Sequence, residues 1–510
     1  MKFKYISLFA LLIGFLSCED VESPIPEEVA RPELIAGTAD FSNYVAVGAS
    51  FTAGFTDGAL FKASQENSFP NILSQQFAKL GGGKFSQPLM NDNIGGLLIG
   101  GMTNPQFQPR LFFNGSGPAR LPATPTTEGA ANLGGTFHNM GVPGAKSFHL
   151  LFDGYGNPAN LQLGLANPYF VRMAKSPTST VLGDAMAQSP TFFTLSEVGG
   201  NDVLGFATSG GDGSNSITDS ATFDASFNAL VSTLTSNGAK GVVTNVPYVT
   251  DLPFFTTVPN NALVLDAATA GQLTAVFQAV SGIFLQGAIL QGVPPAQAQA
   301  LAAQYAITFN EGPNRWIIDV PVTQTNPLGF RQMTEEELLV LTIDRAALAQ
   351  GYGTVALTPQ VLQVLGLLQQ GGTPTPQQAG LVIAAVNGID DKDALDADEL
   401  AEIKTATDAY NATIASIASS NENIALVDLN AILTEVASTG INFDGFNLTA
   451  NLVTGGAISL DGIHLNARGY AFMANKFLEA IDESFGSNFI ESGNVAKASN
   501  YQTNYSPTLQ

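Results

Sequence analysis

The strongest constraint on the fold comes from five short apolar runs rich in Val, Phe, Ile and Thr: NYVAVG (43–48), GTFHNMGV (135–142), TFFTLSEVG (191–199), KGVVTNVP (240–247) and NIALVDLN (423–430). Most of them close on Gly, Pro or Asn. A short run that stays apolar without alternating reads as a strand buried on both faces, as in a parallel sheet covered by helices. Helical patterns separate several of the runs. Residues 70–80 put Pro at a first helical position and Ile72, Leu73, Phe77 and Leu80 on one face; 221–238 ends on Asn-Gly; 467–485 is amphipathic. Strands alternating with helices predict an α/β fold built on an open five-stranded parallel sheet with helices on both faces.

Two segments interrupt that plan. Residues 81–134 are long and rich in Gly, Pro and Asn, the mark of a functional or irregular loop. A second insertion, 251–420, separates the fourth and fifth strands and carries helical stretches such as AGQLTAVFQAVSGIFLQGAIL and ADELAEIKTATDAYNATIASIA. It is expected to be a helical insertion or cap near the top of the sheet. The sheet domain itself then comprises 39–250 and 421–486, followed by a tail over 487–510.

The first residues read as a targeting segment. Lys2 and Lys4 precede an apolar run from Ile6 to Leu16, then Ser17 and Cys18. This is a signal peptide over 1–17, too short to span a bilayer. Cys18 is the only cysteine, so no internal disulfide is possible. A lone cysteine at this boundary resembles the lipidation site of bacterial lipoproteins, with Phe15-Leu16-Ser17 as a loose version of the preceding motif. The resemblance implies an exported lipoprotein of the cell envelope, in the outer membrane, joined to the lipid through Cys18 and a Pro- and Glu-rich tether over 18–38. No later stretch holds 18 uninterrupted apolar residues, so no transmembrane helix is expected. With 43 acidic residues against 20 basic ones, a net charge of −23, the chain is a poor partner for nucleic acid.

In an open parallel sheet, sites form beyond the carboxyl ends of the strands. The residues past the ends of these runs form a set of parts for acyl transfer. Ser50 comes after the first run in GASFTAG, Gly144 after the second in VPGAK, Asn201 after the third in GGND, and Asp461 and His464 after the fifth in DGIH. A serine hydroxyl needs a base to take its proton, imidazole suits that task near neutrality, and a carboxylate on the other ring nitrogen fixes the tautomer. Backbone N–H groups of Ser50 and of a small residue such as Gly144, with the amide of Asn201, are suitable donors for the oxyanion. Of the three histidines, His138 lies within a strand and His149 in a helical stretch where a surface role is expected, whereas His464 has Asp461 three residues before it. The acidic stretch DDKDALDADE (390–399) lacks the glycine and spacing of a calcium loop and reads as a helix start; no Cys/His cluster suggests zinc.

Taken in order, these four blocks resemble the SGNH/GDSL hydrolase superfamily. The resemblance covers roughly residues 41–485, interrupted by the insertion. It implies a flavodoxin-like three-layer sandwich and an esterase or lipase with Ser50 as nucleophile, His464 as base and Asp461 as its orienting carboxylate. Ser50, Gly144 and Asn201 would form the oxyanion hole, and the substrate would be a small-molecule or lipid ester, with neither cofactor nor metal. A carbohydrate O-acetylesterase uses the same parts, and a surface lipoprotein that binds without turnover uses the same fold. The chain departs from the pattern at one position: the namesake Asp of the first block is Ala49. Residues 48–54 also lack the Gly-x-Ser-x-Gly of the α/β-hydrolase elbow.

Overall fold

The computed structural model describes residues 31–510. The expected signal peptide, the lipidation position Cys18 and the first part of the tether lie outside the described residues.

Strands β1 (Tyr44–Gly48), β2 (Asn139–Gly141), β3 (Phe192–Ser196), β4 (Lys240–Thr244) and β5 (Ile424–Val427) form one open, all-parallel sheet in the order β5-β4-β3-β1-β2. Every residue of β1 and β3 is buried, which is why these runs do not alternate. Gly48, the last residue of β1, pairs with Gly141 of β2 on one side and Ser196 of β3 on the other. The second run forms only three residues of strand, because β2 is outermost and bonds to a single neighbour. The third run stops at Ser196, short of 199. The next residue, Glu197, has φ +53° and turns the chain out of the extended region.

The helices that bear on the site are α1 (Ser50–Ala53), α2 (Phe69–Phe77), α3 (Gly200–Thr208), α4 (Ser220–Leu234), α5 (Ala267–Leu290), α6 (Ala397–Ser419) and α7 (Ala467–Phe485). α7 packs on β4, β5 and α2, and α6 packs on β4, β5 and α4. The Asn466 side chain accepts the Gly469 N–H to start α7, and Gly486, with φ +73°, ends it. Its apolar stripe, including Phe477, Leu478 and Ile481, is fully buried. Phe477 stacks on Phe69 of α2 at 4.7 Å between ring centres.

The segment between β4 and β5 is not purely helical. It also holds four short antiparallel pairs, such as Leu263–Leu265 with Gly312–Asn314 and Leu338–Leu339 with Ala394–Leu395. Its helix α5 has 24 residues and a mean hydropathy of 1.7 over its most apolar window, long and apolar enough to cross a membrane by length and composition. Interspersed Gln, Thr, Ser and Gly kept it below the criterion of an uninterrupted run. One face, with Leu273, Val276, Phe277 and Val280, is buried in a second core with Tyr305 and Phe330.

Both ends of the described chain are tied to the fold. Of the expected tether, Ile35 N–H donates to Asn488 Oδ1 at 2.8 Å and Thr38 N–H to Phe485 O at 2.8 Å. In the expected tail, Tyr505 is buried edge-on against Phe61. The buried Arg110 donates to the carbonyls of Ser506 and Leu509 at 2.6 and 2.8 Å.

Candidate active site

β1 runs directly into α1. Gly48 sits so close to its neighbours that a side chain there would collide with Thr52 and Ser196 O. Gly141 of β2 likewise lets the α1 backbone at Ala53 press against the sheet. Asn139 Nδ2 donates to Thr52 O at 2.8 Å. Ser50 is therefore the first residue of a one-turn helix clamped over the carboxyl ends of β1 and β2, and it is buried. Its backbone N–H has no hydrogen-bond partner among the described residues.

Asp461 and His464 share one tight turn after β5. His464 Nδ1 donates to Asp461 Oδ2 at 2.9 Å, which leaves Nε2 with its lone pair free. The carboxylate is saturated by other donors: Oδ1 accepts from Ser459 Oγ and from the N–H groups of Ile463 and His464, each at 2.9 Å, and Oδ2 accepts from Gly58 N–H at 2.8 Å. Burial opposes ionisation of Asp461, but the charge that His464 carries when protonated and the hydrogen bonds from His464 and Ile463 outweigh it and hold the carboxyl well below the usual range. Gly462, φ +77°, lies between the two residues. A side chain there would crowd the backbone of Phe254, whose N–H donates to Gly462 O at 3.0 Å. The insertion is thus bonded to the turn that carries the imidazole.

Gly144 and Asn201 are brought together across the sheet end. Asn201, in the first turn of α3, donates from Nδ2 to Ala145 O at 3.0 Å, beside Gly144. Gly144 is exposed with φ +79°, a conformation that favours glycine although the space around it is open. Its N–H, like that of Ser50, has no partner among the described residues. Asn201 keeps one amide hydrogen unspent. Helix α3 starts at Gly200 on a Gly199 N-cap, so Asn201 lies inside the helix and does not cap it.

Ser50, Asn201 and Ile463 line one narrow cavity of about 40 Å³, together with Phe51 and Glu197. Ile463 also lines a larger cavity of about 580 Å³, whose wall includes Asp461 and His464. Ser50 and His464 thus sit on adjoining cavities, and no hydrogen bond joins them among the described residues. The ring of His464 lies against Phe55, 4.7 Å between centres.

Two acidic residues that sequence patterns do not single out hold this arrangement. Glu197, buried under α1, accepts the Phe51 N–H on both carboxylate oxygens at 2.7 and 2.8 Å. Burial pushes its carboxyl well above the ordinary range, against the pull of the N–H groups of Phe51, Thr52 and Ala49. Asp57 accepts the Leu460 N–H at 3.0 Å, and its own N–H donates to Ser459 Oγ at 3.0 Å. Burial raises the Asp57 carboxyl to about 7; the Leu460 N–H opposes this, Asp461 adds to it, and Arg110 opposes it. Their only signal in sequence is an acid among small residues, SEVGG and TDG, which is common in turns.

The remaining acidic and histidine features are structural. His138, expected within a strand, lies just before β2, and its Nδ1 bonds with Ser86 Oγ at 2.8 Å. His149 differs from the expected surface residue: it is half-buried, stacked on Tyr155 at 4.7 Å, and accepts the Lys146 N–H on Nδ1 at 3.1 Å. Burial, with the Lys146 charge, lowers it to about 4. In the acidic stretch, Asp396 and Glu399 form a capping box at the start of α6. Among the described residues, no group of His, Cys, Asp and Glu is arranged to hold a metal ion. Compared with protein-family profiles, with characterised proteins and with solved structures, the chain has no significant match.

Proposed function

We propose that the chain is a serine ester hydrolase of the SGNH/GDSL type, an esterase or lipase, held in the outer membrane by lipid on Cys18. One observation carries the reading: the 2.9 Å bond from His464 to Asp461, one residue from Ile463, which lines the cavity of Ser50 and Asn201. The strand order 2-1-3-4-5 supports the three-layer sandwich. The order reverses between β1 and β3, and Ser50 and Asn201 come just after those two strands.

In this reading His464 Nε2 takes the Ser50 proton as Oγ bonds to the acyl carbon, a contact that tightens once substrate is bound. The carbonyl electrons move onto oxygen. There they meet the unspent N–H groups of Ser50 and Gly144 and the free amide hydrogen of Asn201. Collapse breaks the ester C–O bond, and His464 returns the proton to the leaving alcohol. Water, deprotonated by His464, then releases the carboxylic acid and restores Ser50. Asp461 keeps Nδ1 protonated throughout. Glu197 stands in for the absent acid at Ala49 by holding the α1 backbone from below.

A fluorophosphonate probe tests the reading. Covalent labelling of the folded chain, abolished by Ser50→Ala, is expected. A folded chain that takes no label overturns the enzyme reading and favours a lipoprotein that captures ligand without turnover. Hydrolysis confined to acetyl esters, with none of octanoyl esters, points instead to a carbohydrate O-acetylesterase. The lipid anchor rests on the N-terminal sequence, and palmitate incorporation lost in Cys18→Ser checks it.

A further inference from the structure

The cavity that holds Ser50 has room for about one water, so the bulk of any ester must lie elsewhere. The neighbouring cavity of about 580 Å³ has the size of a ligand site and opens on the His464 side. It is walled by three pieces of chain that are bonded to one another. The first is the Asp461–His464 turn itself. The second is the insertion: Phe254 N–H donates to Gly462 O, and Leu341 N–H to Phe254 O at 2.7 Å. The third is the hairpin Leu111–Phe113 with Pro118–Arg120, tied in by Leu111 N–H to Asp57 O at 2.7 Å. Phe254, Leu341, Leu452 and Leu460 make its lining largely apolar.

Two cations stand out on this lining in a chain that carries 43 acids against 20 bases. Arg120 and Arg345 both border the cavity, and neither has an acidic partner within ion-pair distance among the described residues. Arg120 spends one nitrogen on Pro109 O at 2.6 Å, while the Arg345 side chain makes no hydrogen bond among the described residues. The neighbouring acid Asp344 is occupied in accepting the N–H groups of Ala346 and Ala347. Both arginines are exposed residues at the cavity mouth, and Arg120 feels the charge of Asp461 without forming an ion pair with it. Apolar walls beside guanidinium groups that have no ion-pair partner match an amphiphile with an anionic group.

We infer that this cavity binds an anionic amphiphile: the substrate is an ester whose apolar chain lies along Phe254, Leu341, Leu452 and Leu460 and whose negative group is held by Arg120 and Arg345. The turnover part of this inference rests on the ester-hydrolase reading; the ligand class does not.

Two measurements on the full chain separate the two. The first compares kcat/KM for nitrophenyl octanoate with that for its ring-carboxylate analogue, an octanoyloxy-nitrobenzoate. The wild type is expected to favour the anionic ester. The anionic-to-neutral ratio should fall roughly tenfold in the double variant Arg120→Gln/Arg345→Gln and partly recover in Arg345→Lys alone, and it should shrink as salt is raised. A ratio unchanged in the double variant, with its melting temperature intact, overturns the inference while leaving the hydrolase reading standing. The second measures binding of laurate and of dodecanol to Ser50→Ala. Laurate bound more tightly than dodecanol, with that preference lost in the double arginine variant, supports the ligand class even if neither ester is turned over. Equal binding of the two, or no binding, overturns it.

Discussion

Both carboxylate oxygens of Glu197 accept the same backbone N–H, that of Phe51, the residue after Ser50. A buried acid from the end of β3 therefore fixes the turn that leaves β1, 146 residues away in sequence. Removing it as Glu197→Ala orphans a buried donor and leaves a void, so a loss of ~1–3 kcal/mol or more is expected. Glu197→Gln keeps one acceptor oxygen and should recover most of it. Thermal unfolding measures the stability, and the rate of fluorophosphonate labelling measures whether Ser50 has moved. If the alanine variant labels at the wild-type rate, Glu197 does not position Ser50.

The Asp461–His464 pair gives the sharpest functional expectation. Asp461→Asn keeps the size but presents an amide to Nδ1, so the imidazole loses both its preferred tautomer and its counter-charge. A fall in kcat of about 10³–10⁴ is expected with little change in KM. Steady-state kinetics on a short-chain nitrophenyl ester checks it, and a fall of less than tenfold contradicts the assigned role.

The sheet was legible in the sequence because strands buried on both faces leave uninterrupted apolar runs, as at Tyr44–Gly48 and Phe192–Ser196. The Asp461–His464 contact was legible because one four-residue turn carries both partners. Glu197, Asp57 and Arg110 were not legible. Each acts on a segment far along the chain: Asp57 on Leu460 across 403 residues, and Arg110 on Ser506 across 396. Nothing local distinguishes a buried acid from one in a solvated turn. The short pairs within the insertion escaped for a related reason, since strands of two or three residues have no period to read. His149 looked like a surface residue because its stacking partner Tyr155 lies beyond the helical turn.

Asn201 is bonded to the loop of Gly144 with one hydrogen and has one to give. Asn201→Ala is expected to lower kcat by about 10²–10³, the usual loss for one oxyanion donor. Because the Ala145 contact is lost as well, its melting temperature should be recorded alongside. A variant with full stability and full kcat removes Asn201 from the mechanism.

Asp57 sets a pH dependence of stability. Its carboxyl is raised to about 7 in the folded chain, so folding favours the protonated form. That contribution is complete below the carboxyl's unfolded value and is lost as pH rises through about 7, up to ~4 kcal/mol. Asn tolerates the positive φ of this position and keeps the acceptor for Leu460 N–H. Between about pH 5 and about pH 8, Asp57→Asn should therefore gain melting temperature relative to the wild type. A constant difference across that interval contradicts the shift.

Thr38 is bonded to Phe485 O and to Lys240 Nζ, and Lys240 opens β4. The polypeptide thus joins the sheet at its amino edge, while Ser50 lies past the far end of β1, roughly 17 Å away at about 3.3 Å per residue. A protein moored by its leading end would turn its mouth to the open side. If lipid on Cys18 moors the chain and esters are its substrate, as proposed, they would reach the mouth from the surroundings sooner than from the bilayer.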